Sequence, residues 1–281
     1  MVICGASALC RLAGGTRTII AIEPQNRVDE HSSSAKESIK EVPTMGQTRL
    51  IILGATGMVG GYALRYALDQ LTVGRVTAIS RRTLGLSHPK LHEVLHQDFG
   101  DCSALASALS NQHAAIFCLG AYTGAVPDVQ LRAVTAGYVI EFARALRASS
   151  PDAAFSFLSG SGADPTTRSR MAFARYKGEA ENALLASEFS RFYILRPAYI
   201  YPVEPRKEPN LSYRILRRIY PVFRVLFPNQ VIRADDLAQV MVDLVVNRTG
   251  VAPSQIFENR EIRSMAPSLQ SSQAGGEKGR A

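Results

Sequence analysis

The run Arg49-Leu-Ile-Ile-Leu-Gly54-Ala-Thr-Gly57-Met-Val-Gly60-Gly61 joins an apolar stretch of strand length to glycines spaced G-x-x-G-x-x-G. Residues of that type and spacing bind anions through the backbone. Gly54 permits a tight turn after the strand. Gly57 lets a pyrophosphate approach the N-terminus of the following helix, where free N–H groups and the helix dipole favour negative charge. Gly60 lets that helix pack closely on the strand. Thr56 is placed to reach the phosphates, and Met58 and Val59 open the helix beside them. The pattern is a variant of the dinucleotide-binding fingerprint. A glycine-rich structural turn is the alternative, and the flanking strand and helix weigh against it.

The second strand ends at Ser80-Arg81-Arg82. An acidic residue there suits the free ribose hydroxyls of NAD. Two arginines instead suit a 2′-phosphate, which guanidinium groups bind by charge and paired hydrogen bonds. The expected cofactor is therefore NADP(H) in preference to NAD(H). In Gln97-Asp98-Phe99, after the third strand, Asp98 is placed to accept from an adenine amino group, with Phe99 beside it, although Asp98 next to Gly100 also suits a simple turn. Leu119-Gly120-Ala121 closes the fourth strand with small residues that let the chain pass near the cofactor's riboses. His92-Glu-Val-Leu-His96 matches the H-E-x-x-H zinc motif, but Pro89 and the nearby Asp98-Phe-Gly100 leave no room for the helix which that chemistry needs. No metal is expected.

Phe157-Leu-Ser159-Gly-Ser-Gly162-Ala-Asp164 closes the fifth strand, and Phe173-Ala-Arg-Tyr176-Lys177-Gly178-Glu179 and Leu195-Arg196-Pro197 follow. With the glycine fingerprint, this order resembles the short-chain dehydrogenase/reductase superfamily. More narrowly it resembles the atypical branch that includes the Tat-interacting oxidoreductase proteins, over about residues 49–246. The resemblance implies that Ser159 polarises a substrate carbonyl and that Lys177 binds the nicotinamide ribose. It also places Pro197 at the nicotinamide end. The tyrosine of the superfamily's Y-x-x-x-K motif falls on Phe173, which exchanges no proton. Tyr176 does not replace it, because residues one apart on a helix point about 100° apart. Tyr122, Tyr199 or water is left as the proton source.

The implied function is an atypical NADP(H) oxidoreductase that transfers hydride to a small carbonyl or enone. The alternative is a cofactor-binding regulatory or assembly protein with little turnover. A nucleotide-sugar epimerase needs the missing tyrosine and more than the ~50 residues left for a C-terminal domain.

These residues need a scaffold that brings strand ends together. Strands are expected at 49–53, 75–80, 91–97, 114–119, 154–159 and 191–195. Helices are expected at 58–71, 102–109, 129–148, 172–187 and 235–246. The alternation implies an α/β fold, a doubly wound parallel sheet of the Rossmann type, over residues 48–264, with a small C-terminal lid at about 200–234. Residues 1–47 read as a disordered tail, with Met45 as the functional start, although Arg11 and Arg17 without an acid in the first 22 residues resemble a transit peptide. Residues 265–281 read as a second tail. The net charge of +8 suits any anionic partner, and no nucleic-acid motif supports one. Residues 213–228 mix arginines with aromatic and aliphatic residues. They suit a substrate lid, a membrane-surface or protein contact, or a packed amphipathic helix. Four cysteines without C-x-x-C spacing fit a reducing compartment, and the expected location is cytoplasmic.

Overall fold

The computed structural model describes residues 47–121, 126–204, 220, 226–247 and 254–267. Seven strands form one sheet: β1 (Thr48–Leu53), β2 (Val73–Ser80), β3 (Leu91–Leu95), β4 (Ala114–Phe117), β5 (Ala154–Leu158), β6 (Phe192–Arg196) and β9 (Ser254–Glu258). Their order is β3-β2-β1-β4-β5-β6-β9, and every pair is parallel. Two short strands, β7 (Tyr199–Tyr201) and β8 (Val231–Arg233), pair in parallel apart from it.

A parallel sheet is buried on both faces, so its strands read as continuous apolar runs. In β1, Leu50 and Ile52 enter the core under helices α1 (Met58–Asp69) and α6 (Ala234–Val246). Ile51 and Leu53 point the other way, towards α2 (Ala106–Leu109), α4 (Tyr138–Ser149) and α5 (Ala172–Leu185). The period of two along the strand decides which face each side chain serves.

The long helix expected at 129–148 is broken. It comprises α3 (Asp128–Arg132), a π-helical turn at Ala133–Gly137, and α4. Strand β9 and helix α7 (Asn259–Met265) were not expected, and they complete the sheet edge beyond β6. Ala266 is buried in the core, so packing runs past residue 264. Of the expected tails at 1–47 and 265–281, residues 1–46 and 268–281 lie outside the described residues, as does most of the expected lid and contact segment. Of that segment, the Tyr220 ring stacks on Tyr201, with centroids 3.6 Å apart.

The order reverses at β1, where the chain crosses from β3 back to β4. The crevice outside the C-terminal ends of β1 and β4 is where this architecture holds ligands.

Candidate functional site

The glycines of the first loop are required by contact. Gly54 has φ +84°, and a Cβ there would meet the Cys118 backbone at 2.8 Å. A Cβ on Gly60 would meet the Gly54 carbonyl oxygen at 2.2 Å. The first glycine therefore turns the chain, and the third brings α1 onto β1. Gly57 is the N-cap residue of α1 and offers no side-chain cap, so the helix start is left open to an incoming acceptor.

A cavity of about 560 Å³ opens from this helix end across the ends of β4, β5 and β6. Gly57, Met58 and Val59 line one end. Leu119, Gly120 and Ala121 line the middle, and Ser159, Lys177, Pro197 and Tyr199 line the far end. Gly57, Met58 and Val59 of the fingerprint thus share one cleft with Ser159, Lys177, Pro197 and Tyr199. Thr56 lines an adjoining cavity with Tyr62, Arg65 and Glu204. Tyr122 lies outside the described residues.

Arg81 and Arg82 are exposed at the end of β2, next to β1 in the sheet. Their backbone is pinned: Ser80 Oγ donates to the Arg82 carbonyl at 2.6 Å, and Gln97 Nε2 donates to the Arg81 carbonyl at 2.8 Å. Among the described residues, no side chain is seen to hydrogen-bond or ion-pair with either guanidinium group. Asp98 spends one carboxylate oxygen on the Gly100 N–H at 2.8 Å, the turn its sequence allowed. Phe99 does not face the cleft. It is 2% exposed and packs against His96 and Tyr138 as core. His92 and His96 fall on and just after strand β3, where residues four apart are about 13 Å from each other, too far to share an ion.

On α5, Phe173 and Lys177 share a face as residues four apart must. The Phe173 ring packs where a Cβ on Gly160 would meet it at 3.0 Å. Lys177 is 4% exposed. Its Nζ donates to the Leu158 carbonyl at 2.7 Å and lies 4.5 Å from the Phe157 ring centroid. Tyr176 points away, and its hydroxyl donates to Asp128 at 2.5 Å. Tyr199 lines the cleft, but its hydroxyl oxygen is buried from any contact with solvent.

Ser159 has a partner that the sequence did not announce. Ser159 Oγ donates its proton to Glu181, a fully buried residue of α5. Arg196 Nε donates to the same Glu181 oxygen at 3.0 Å, and Nη2 donates to the other at 2.5 Å. Arg196 also pairs with Glu258 at 2.9 Å. A serine has one proton, and here it is not directed at a carbonyl. Glu181 was overlooked in the sequence. Its signal was position: it lies four residues after Lys177, on the same helix face.

Burial lowers the Lys177 ammonium to about 8, while the nearby Glu181 charge acts in the opposite direction. The folded chain therefore holds this proton less tightly than the unfolded chain. The group costs stability below about pH 8, and that cost fades between pH 8 and the ordinary lysine value of 10.5. Lys177→Met is expected to melt about 3 °C higher than the parent at pH 7, with the gain gone at pH 10.5. A gain unchanged across that range would show that the charge is not its cause.

A parallel sheet of this order, a glycine turn at its switch point and a cleft over the strand ends define a Rossmann-type dinucleotide-binding protein. The chain belongs to the NAD(P)H-binding family, whose model matches residues 54–248. It is 36% identical over 156 residues to "Protein fmp52, mitochondrial" of Aspergillus clavatus, a match covering 53% of this chain and 65% of that one. It is 25% identical over 228 residues to "Protein FMP52, mitochondrial" of Saccharomyces cerevisiae, covering 78% and 97%. The alignment thus spans just under two thirds of the Aspergillus relative.

Among solved structures, the Bordetella bronchiseptica enzyme WbmH in complex with NAD+ matches with a TM-score of 0.57 at 16% identity, over 75% of each chain. A UDP-glucose 4-epimerase matches at 0.56 and 14%, over 76% of this chain and 80% of that one. At such identities the likeness is one of fold. It agrees with the short-chain dehydrogenase/reductase resemblance and does not bear on the narrower Tat-interacting branch. The expected cytoplasmic location does not stand, because the curated relatives are named mitochondrial.

Proposed function

We propose that this chain is a mitochondrial, NADP(H)-binding oxidoreductase of the atypical short-chain kind, acting on a small carbonyl or enone. The observation that carries the reading is the continuous cleft from the open end of α1 to Lys177. Its helix start fits a pyrophosphate, because the Gly57 N-cap leaves the first turn of α1 without a side-chain cap. The bound dinucleotide supplies hydride at its nicotinamide. Met58 and Val59 would present backbone N–H groups to its phosphates, while the Gly57 N–H closes the turn on the Gly54 carbonyl at 2.8 Å. Lys177 would donate to ribose hydroxyls with protons that Leu158 leaves free. Phe173 and Pro197 would wall the nicotinamide end against water.

Protonation of the reduced product is left to Tyr122, Tyr199 or water. Phe173 has no proton to give, and the Ser159 proton is committed to Glu181. These same facts favour a second reading, in which the chain binds the dinucleotide with little turnover and serves regulation or assembly. The mitochondrial reading rests on the names of the relatives. The acid-free first 22 residues, with Arg11 and Arg17, agree with it.

Titration with NADPH and NADH, followed by nicotinamide fluorescence, tests the cofactor. A carbonyl panel then separates turnover from binding alone. The exposed Arg81–Arg82 pair is expected to set the preference. Replacing both with alanine should weaken NADPH by about 10- to 100-fold, the worth of a charge-assisted hydrogen bond, and leave NADH within twofold. Equal losses for both dinucleotides would sink the phosphate-clamp argument.

A further inference from the structure

Within the cleft, the direction of one hydrogen bond limits what a ligand can offer. Ser159 closes β5, is 6% exposed and lines the cavity. Its single proton goes to Glu181 Oε1. Glu181 cannot return one. Both of its oxygens accept from the Arg196 guanidinium, and an ion-paired carboxylate carries no hydrogen. Arg196 is itself held by Glu258 and is pushed further towards its charged form, chiefly by Glu181. A ligand in the cleft therefore meets the lone pairs of Ser159 and not its proton.

We propose that Ser159 acts in the cleft as a hydrogen-bond acceptor, selecting a ligand group that carries an N–H or O–H over one that offers only a carbonyl, and that Glu181 fixes this polarity as a positioning residue. The proposal rests on the reading of the cleft as a ligand site. Two groups share the required chemistry: the primary amide of a nicotinamide, and the hydroxyl of an alcohol substrate. A carbonyl oxygen set against Ser159 would put lone pairs against lone pairs. It would also leave the serine oxygen without a donor, the situation in which a site rejects a near-isostere most strongly.

Two probe pairs test this and distinguish the sources. The first is NADPH against the reduced 3-acetylpyridine analogue, in which a methyl ketone replaces the amide. The second is 1-phenylethanol against acetophenone, read by saturation-transfer NMR on the protein alone. We expect the parent to favour the donor-bearing member of at least one pair by about tenfold. Ser159→Ala should level that ratio while leaving the affinity of the ketone member within twofold. A preference in the first pair assigns the acceptor to the cofactor amide, and in the second to a substrate hydroxyl.

Glu181→Leu removes the acceptor, frees the Ser159 proton to turn to the cleft and should abolish or invert the ratio. That variant leaves Arg196 with Glu258 alone as its counter-charge and is used only where its melting curve stays cooperative; Ser159→Ala carries the test by itself. Equal binding within both pairs by the parent, a preference for the ketone members, or a ratio that Ser159→Ala leaves unchanged would each overturn the proposal. So would failure of all four probes to bind. Failure of both dinucleotides alone counts against the cofactor reading, and the second pair still decides the role of Ser159.

Discussion

Gly178→Ala is expected to leave no stably folded protein. Gly178 lies inside α5, where alanine would ordinarily be the better helix former by about 1 kcal/mol. Here a Cβ would sit 1.8 Å from the Asp164 carbonyl oxygen and 2.8 Å from the Pro165 nitrogen. Both are backbone atoms, so no side chain can swing aside. The 164–169 loop has little freedom to retreat. The Asp164 carboxylate accepts from the N–H groups of Thr166, Arg168 and Ser169 at 2.7–2.9 Å, and these bonds, led by the Thr166 hydroxyl, hold it below the usual carboxylate range. Moving α5 outward instead would pull Lys177 from Leu158 and Glu181 from Arg196. A cost above about 4 kcal/mol consumes most of a typical domain's stability. Soluble yield and the thermal transition by circular dichroism are the readouts. A variant that melts within 2 °C of the parent would show that the contact relaxes and that the helix does not depend on it.

Phe173→Tyr is expected to raise carbonyl reduction by about 10²- to 10⁴-fold, the usual contribution of a positioned general acid. The ring already occupies the position of the superfamily's tyrosine. It lies on the face of α5 that carries Lys177, with Nζ 5.9 Å from its centroid, and Gly160 has no Cβ to obstruct it. Only the proton-bearing oxygen is missing. Steady-state NADPH oxidation with a carbonyl panel measures the gain, and unchanged NADPH affinity would show that the change lies in chemistry and not in binding. No gain, from a variant that binds NADPH normally, would mean that protonation does not limit the rate or that the cleft does not bring carbonyls to this ring. The second outcome agrees with a serine that offers acceptors only.

The parts of this molecule that obey local rules were legible in the sequence. The β1 run, the glycine spacing and the apolar positions of α1 each depend on neighbours within about a dozen residues. The roles of Gly54 and Gly60 followed from spacing because the turn and the helix they serve are adjacent in the chain. Direction on a helix was legible too: four residues apart put Phe173 with Lys177 and turned Tyr176 towards Asp128.

What escaped was set by distant partners. Strand β9 has five residues, and its pairing with β6 is made 62 positions from Arg196 to Glu258. Strands β7 and β8 have three residues each and no periodicity to detect. Phe99 looked like a cleft residue because it follows a strand end, and only its contacts with His96 and Tyr138 show that it belongs to the core. The Ser159 motif was visible, but the direction of its hydroxyl depends on Glu181, 22 residues away on another element. A motif names the atoms at a site, and it does not say which way a proton points.

The late arrival of β9 also orders events in time. Asn259, at the start of α7, accepts from the Ala198 N–H at 2.9 Å and donates to the Asn229 carbonyl at 2.7 Å, tying together the loop after β6 and the segment before β8. Glu258 braces Arg196 from the same turn. A ribosome delivers the described cleft-lining residues, up to Ile200, more than fifty residues before it delivers these two. Until then the nascent chain carries the wall of its pocket without the clasp that holds it, and the sheet has an unpaired edge at β6, open to any strand that finds it first.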